Sequence, residues 1–125
     1  MIKFLTERWR SFIYAVAGLN FVLKTQHNAR IHLLATIAVV IIGFILGLTP
    51  QEWVWVLVAI ALVWFAELLN TAIEHICNVV SPEHSNAVKH AKDIAAGAVL
   101  VCAIIAAIIG FIVFQPYITP LFQTG

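Results

Sequence analysis

Charge is scarce in this chain. Only 10% of its 125 residues are Asp, Glu, Lys or Arg, while 62% are hydrophobic. A water-soluble domain carries about 25% charged residues. The composition, with a mean hydropathy of +1.00, therefore excludes an ordinary soluble globule and indicates an integral membrane protein. Cysteine is equally sparse. Cys77 and Cys102 lie in apolar surroundings, are too few for a disulfide framework, and read as small core residues. A net charge of +1, with no basic arm and no aromatic-basic stripe, gives no footprint for nucleic acid. The N-terminus mixes Lys3, Glu7, Arg8 and Arg10 with apolar residues, which is not the pattern of a cleaved signal peptide.

What is present is long apolar stretches with short interruptions. Over residues 1–30, Phe4, Trp9, Phe12, Ile13, Val16, Leu19 and Phe21 recur near helical spacing among basic residues. This predicts an amphipathic helix at a membrane surface, with Gly18-Leu19-Asn20 as a candidate bend. A chargeless span runs over 31–48, just long enough to cross ~30 Å of hydrocarbon. Thr49-Pro50-Gln51-Glu52 reads as a turn, with Pro50 suited to a first helical position. A second membrane helix is expected over 53–80, a polar loop over 81–86, and a third span over 92–114 that Pro116 and Pro120 end. The fold class is all-α, in one domain without repeats. All seven Lys and Arg residues precede the first span or lie around the 81–92 loop, so that side should be cytoplasmic. Trp53, Trp55 and Tyr117 fit an outer aromatic belt, Trp9 an anchor for the surface helix, and Trp64 a deeper packing role.

The second span carries A66-E-L-L-N-T-A-I-E74 at its inner end. Three- and four-residue spacing puts Glu67, Asn70 and Glu74 on one helix face. Ionisable groups in a span are costly and mark function by default. Glu67, a turn inside the interface, suits a general base. Glu74 lies about 10 Å further along the axis at 1.5 Å per residue, wet enough to hold a hard cation. Asn70 can orient either group by hydrogen bonds. Lys92 suits phosphate, and Asp93 can pair with it. Such a set serves phosphoryl transfer, which needs positioning and charge neutralisation. There is no Walker A or kinase Gly-rich loop, so a nucleotide site would be unusual. Spacing alone leaves two other readings open: helix-joining hydrogen bonds, and a proton or cation pathway. The five histidines show no H-E-x-x-H or zinc spacing, and His27, His32, His75 and His90 read as structural or interfacial.

The combination E67-L-L-N70-T-A-I-E74, S81-P82-E83-H84 and A91-K92-D93-I94-A95-A96-G97-A98 resembles the prokaryotic diacylglycerol kinase family, which includes undecaprenol kinases. R10-S11-F12, Tyr14, Gly18 and N28-A29-R30-I31-H32-L33-L34 extend the likeness over about residues 8–114. The resemblance implies a homotrimer of three-span subunits in the bacterial inner membrane, with sites shared between subunits near the cytoplasmic face. It implies ATP as co-substrate, Mg²⁺, and a membrane lipid as acceptor. On this likeness Glu67 is the base acting on the lipid hydroxyl, Asn70 its neighbour, and Glu74 a metal ligand. Tyr14, Glu83, His84, Ser85, Lys92 and Asp93 match nucleotide contacts. The N-x-R-I-H-L-L segment looks more like undecaprenol kinases than like diacylglycerol enzymes.

Two positions depart from the family pattern. Gln26 stands where a second metal-binding glutamate is common, and Asn78 where an aspartate is usual. The expected function is an ATP-dependent lipid kinase. The alternatives are a small channel or ion carrier using Glu67, or a relative whose activity these two changes weaken or abolish. If Gln26 ligates the cation weakly, Gln26→Glu should lower the Mg²⁺ concentration needed for half-maximal phosphate transfer; an unchanged requirement places Gln26 outside the metal site.

Overall fold

The computed structural model describes residues 1–81 and 85–122. Four helices follow one another: α1 (Ile2–Thr25), α2 (His27–Leu46), α3 (Pro50–Val80) and α4 (Asn86–Phe122). The described residues contain no strand. The last three helices are long and apolar enough to cross a membrane. A helix satisfies its own backbone, which is why apolar sequence in hydrocarbon takes this form.

Local chemistry sets the helix ends. The first helix runs unbroken through Gly18-Leu19-Asn20 and stops at Thr25, so the expected surface helix over 1–30 is shorter than predicted. Gln26 adopts an extended conformation (φ −101°, ψ 117°), and His27–Arg30 belong to the first spanning helix. Arg30 explains why the break falls there. Its Nε donates to the Leu23 carbonyl at 2.9 Å and its Nη2 to the Lys24 carbonyl. These carbonyls lie in the last turn of α1, where a helix leaves acceptors unpaired. Ala29 beside it is completely buried.

At the other end α2 closes in a Schellman pattern. Gly47 is left-handed (φ 70°), its N–H donates to Phe44 O at 3.3 Å, and Leu48 N–H donates to Gly43 O at 3.1 Å. Thr49 is therefore the N-cap of α3 rather than the start of a turn over 49–52. Its hydroxyl accepts from Glu52 N–H at 3.3 Å, while Glu52 Oε2 accepts from Thr49 N–H at 2.7 Å. This is a capping box with Pro50 in the first turn. Glu52 Oε2 also accepts from the Tyr117 hydroxyl at 2.6 Å, which fastens the start of α3 to the end of α4.

Pro116 and Pro120 do not end the last helix, which continues to Phe122. Prolines are tolerated in spanning helices when nearby groups keep the backbone satisfied. Thr119 Oγ1 donates to Gln115 O at 2.9 Å, and Tyr117 is held by Glu52. The helix also begins earlier than 92, at Asn86.

α3 packs chiefly against α4, and α2 crosses α3. Leu48, Val56 and Val113 form a buried cluster at the end where α2 turns into α3. Lipid tails are as apolar as these side chains, so their fit stabilises through close packing rather than water exclusion. Only Val22 of α1 is buried, so that helix touches the rest near its C-terminus alone.

Gly43 is required for one close approach. A Cβ there would sit 2.7 Å from the Trp53 ring, which itself packs on Phe44 at 4.8 Å. Gly43→Ala should cost about 1–3 kcal/mol of stability, read as a lower thermal midpoint in detergent. Adding Trp53→Phe should recover most of it.

Candidate active site

The fold gathers polar groups along one face of α3 at the end opposite the buried Leu48, Val56 and Val113 cluster. Among the described residues Glu67 is the largest side chain that is fully buried, at 1% exposure. Its Oε2 accepts no hydrogen bond from the described residues. The nearest cation-capable group is His32 Nε2 on α2, at 3.7 Å, outside hydrogen-bond range. An unpaired carboxylate oxygen in such a place costs several kcal/mol or more, and an ionisable group kept in a span at that cost marks function.

The helix pair that frames Glu67 is locked one turn deeper. Trp64 Nε1 donates to Thr36 Oγ1 at 3.1 Å, and Thr36 Oγ1 donates to the His32 carbonyl at 2.7 Å. Trp64, expected only to pack, thus joins α3 to α2 through a polar bond. That bond places His32 opposite Glu67. Sequence reasoning assigned His32 a structural role and missed this pairing. Thr71 was also missed. It is 3% exposed, and its hydroxyl donates to the Glu67 carbonyl at 2.9 Å.

Asn70 is half-buried and makes no hydrogen bond with the described residues. The expected orienting bonds from its side chain to Glu67 or Glu74 are absent. Glu74 is half-buried, with no hydrogen bond or ion pair to the described residues. A free carboxylate of this kind fits Mg²⁺, which needs one or two protein carboxylates beside substrate phosphates. No group of three or more His, Cys, Asp or Glu side chains among the described residues forms a metal cage. Gln26 sits at the break between α1 and α2, half-buried, with its amide 3.5 Å from Thr25 Oγ1. The α1 end reaches α3 through Phe21, whose ring meets His75 edge-on at 5.1 Å.

Further out, Lys92 Nζ donates to Asn78 Oδ1 at 2.6 Å. Asn78 is a neutral acceptor, so it holds the ammonium without cancelling its charge. Asp93 does not pair with Lys92. Four residues separate it from Lys89, and that pair meets at 2.8 Å, both side chains exposed. Asn78 lies about three turns, roughly 16 Å, beyond Glu67 on α3. One chain therefore does not bring Lys92 and Glu67 together. Tyr14 is exposed on α1 and makes no hydrogen bond or ring contact with the described residues. Ser85 is exposed, and its carbonyl accepts from Lys89 N–H at 3.0 Å. Glu83 and His84 lie outside the described residues. Cys77 is buried and Cys102 half-buried, both as free thiols.

A cavity of about 300 Å³ runs from His32 toward the opposite end of the bundle, lined by residues of α2, α3 and α4. His32 and Thr36 supply its polar end, and residues such as Val39, Ala59, Ala107 and Phe114 its apolar remainder.

Three spanning helices with a buried carboxylate, a free outer carboxylate and an uncancelled lysine along one edge define a small helical membrane protein with an ionisable site. The family model described as prokaryotic diacylglycerol kinase matches residues 13–114. The undecaprenol kinase of Bacillus subtilis (strain 168) is 40% identical over 112 residues, covering 90% of this chain and 91% of that protein. The diacylglycerol kinase of Synechocystis sp. is 39% identical over 107 residues, covering 85% of this chain and 61% of that protein. The chain belongs to the prokaryotic diacylglycerol kinase family, and its class is that of a membrane lipid kinase.

The Thr36 bond can be tested directly. Thr36→Val leaves the Trp64 N–H without its partner and should cost about 1–3 kcal/mol. The double variant Thr36→Val with Trp64→Phe should be more stable than Thr36→Val alone, read by thermal unfolding in detergent.

Proposed function

We propose that this protein uses ATP to phosphorylate the hydroxyl of a membrane lipid, undecaprenol or diacylglycerol. The observation that carries the reading is Glu67, a buried carboxylate with an unpaired oxygen, facing a residue that lines an apolar cavity within the spanning helices. A lipid whose chain lies in that cavity would present its hydroxyl at the His32 end. Undecaprenol is the first acceptor to test, because the relative named for it matches nearly end to end.

In this reading Glu67 accepts the hydroxyl proton as the lipid oxygen bonds to the γ-phosphorus. The bond from that phosphorus to the bridging oxygen breaks, and its electron pair leaves with ADP. Asn70, which has no partner among the described residues, is available to hold the incoming hydroxyl. Glu74, helped by the Gln26 amide oxygen, would hold Mg²⁺, which when bound neutralises the phosphates. Lys92, with its charge intact beside Asn78, attracts the polyphosphate. Tyr14, Glu83, His84, Ser85 and Asp93 complete the nucleotide contacts that the family likeness suggests.

The three turns between Glu67 and Lys92 favour a site completed by a second copy, as in the homotrimer implied by the family. The side of the membrane is read from Lys and Arg placement, with the N-terminus cytoplasmic and the C-terminus outside.

The test is transfer of radiolabelled phosphate from ATP in lipid vesicles, with undecaprenol and diacylglycerol assayed side by side. The wild type should label one or both, and Glu67→Gln should be slower by about 10²–10⁴-fold. Unimpaired transfer by Glu67→Gln, or none by the wild type to either lipid, overturns the reading. Ion flux without ATP would instead make Glu67 a channel residue.

A further inference from the structure

The imidazole of His32 is not used in the mechanism above, yet it is the polar group that faces Glu67 from a neighbouring helix. Its Nε2 stands 3.7 Å from Oε2, the same oxygen that lacks a hydrogen-bond donor. Nothing else of comparable charge lies at this depth. After His32, α2 carries no Asp, Glu, Lys, Arg or His. On α4 there is none after Asp93, and on α3 none between Glu52 and Glu67. Cys102 on α4 offers only a weakly polar thiol. On α3 itself the next charged group is Glu74, which repels a carboxylate rather than steadying it.

The backbone holds His32 in place rather than leaving it to chance. Thr36 donates to the His32 carbonyl, and Trp64 donates to Thr36 from the turn of α3 that precedes Glu67. Side chain and carboxylate are thus presented to each other by one bonded unit. His32 is also half-buried and lines the apolar cavity, so it stands between the base and the space for a lipid chain.

We infer that His32 is the positioning residue for Glu67. Its Nε2–H donates to Oε2, which turns the other carboxylate oxygen toward the lipid hydroxyl. A closing movement of about 0.6 Å brings the pair into hydrogen-bond range. Bonds of this kind often tighten only when substrate is bound. The inference rests on Glu67 being the base.

Three variants separate this role from a structural one, assayed with whichever lipid the wild type phosphorylates. His32→Ala should lower kcat about 10–100-fold, as misplacing a reacting group does, with little change in KM for ATP. His32→Gln, which keeps a donor at similar reach, should recover most of that loss. Melting temperature in detergent should not follow the same order. Normal kcat in His32→Ala, or a His32→Gln variant as slow as His32→Ala, overturns the inference. Unimpaired transfer in Glu67→Gln overturns the base itself, which is a separate failure.

Nitrogen-labelled histidine gives a readout that needs no turnover. The His32 ring should hold its proton on Nε2 in the wild type and lose that preference in Glu67→Leu, which has no acceptor for it. Identical ring signals in the two proteins would also overturn the inference.

Discussion

Hydrocarbon tolerates no unpaired polar group, and most of this structure follows from that constraint. The backbone pairs with itself in three long helices. Where a helix stops, a neighbour supplies the missing partner: Arg30 for the carbonyls at the end of α1, Thr49 and Glu52 for each other's N–H groups. Tyr117 and Trp64 each donate across a helix interface rather than bury an idle donor. Against that background one exception stands out. Glu67 is buried with an oxygen that accepts nothing from the described residues. A structure that satisfies its polar groups so widely keeps such a defect for use.

The remainder of the site is graded by depth. α3 is about 46 Å long at 1.5 Å per residue, longer than the ~30 Å of hydrocarbon it must cross. Its C-terminal end therefore carries one face from a dry region to a wet one. Glu67 lies at the dry end, Glu74 two turns along, and Asn78 beside Lys92 further out. A proton acceptor belongs where water is excluded. In the proposed reading, a cation ligand and a phosphate-attracting lysine belong where a nucleotide can arrive. Asn78, which departs from the family pattern, keeps the Lys92 charge uncancelled, so the change is not simply the loss of an acidic group.

The helical class, the three spans and the Glu67–Glu74 face were legible because hydropathy and helical spacing are local. Helix ends were less so. T49-P-Q-E52 has capping-box spacing, yet it read as a turn, and Pro116 and Pro120 read as terminators because their cost in water exceeds their cost in a packed membrane helix. The break at Gln26 depends on Arg30 folding back over the last turn of α1, which no short window contains. The pairing of His32 with Glu67, and of Lys92 with Asn78, joins different helices across long sequence separations. The sequence held one clue to the first pair: N28-A29-R30-I31-H32 was part of the family likeness, though it assigned His32 no task.

The central claim is that Glu67 in its buried setting does the chemistry on lipid. The most direct measurement is covalent labelling with dicyclohexylcarbodiimide, an apolar electrophile to which carboxyl groups in dry surroundings add. The account predicts that label on Glu67 abolishes phosphate transfer in proportion to its extent, and that the lipid acceptor slows the labelling. Complete modification of Glu67 with transfer undiminished would contradict it.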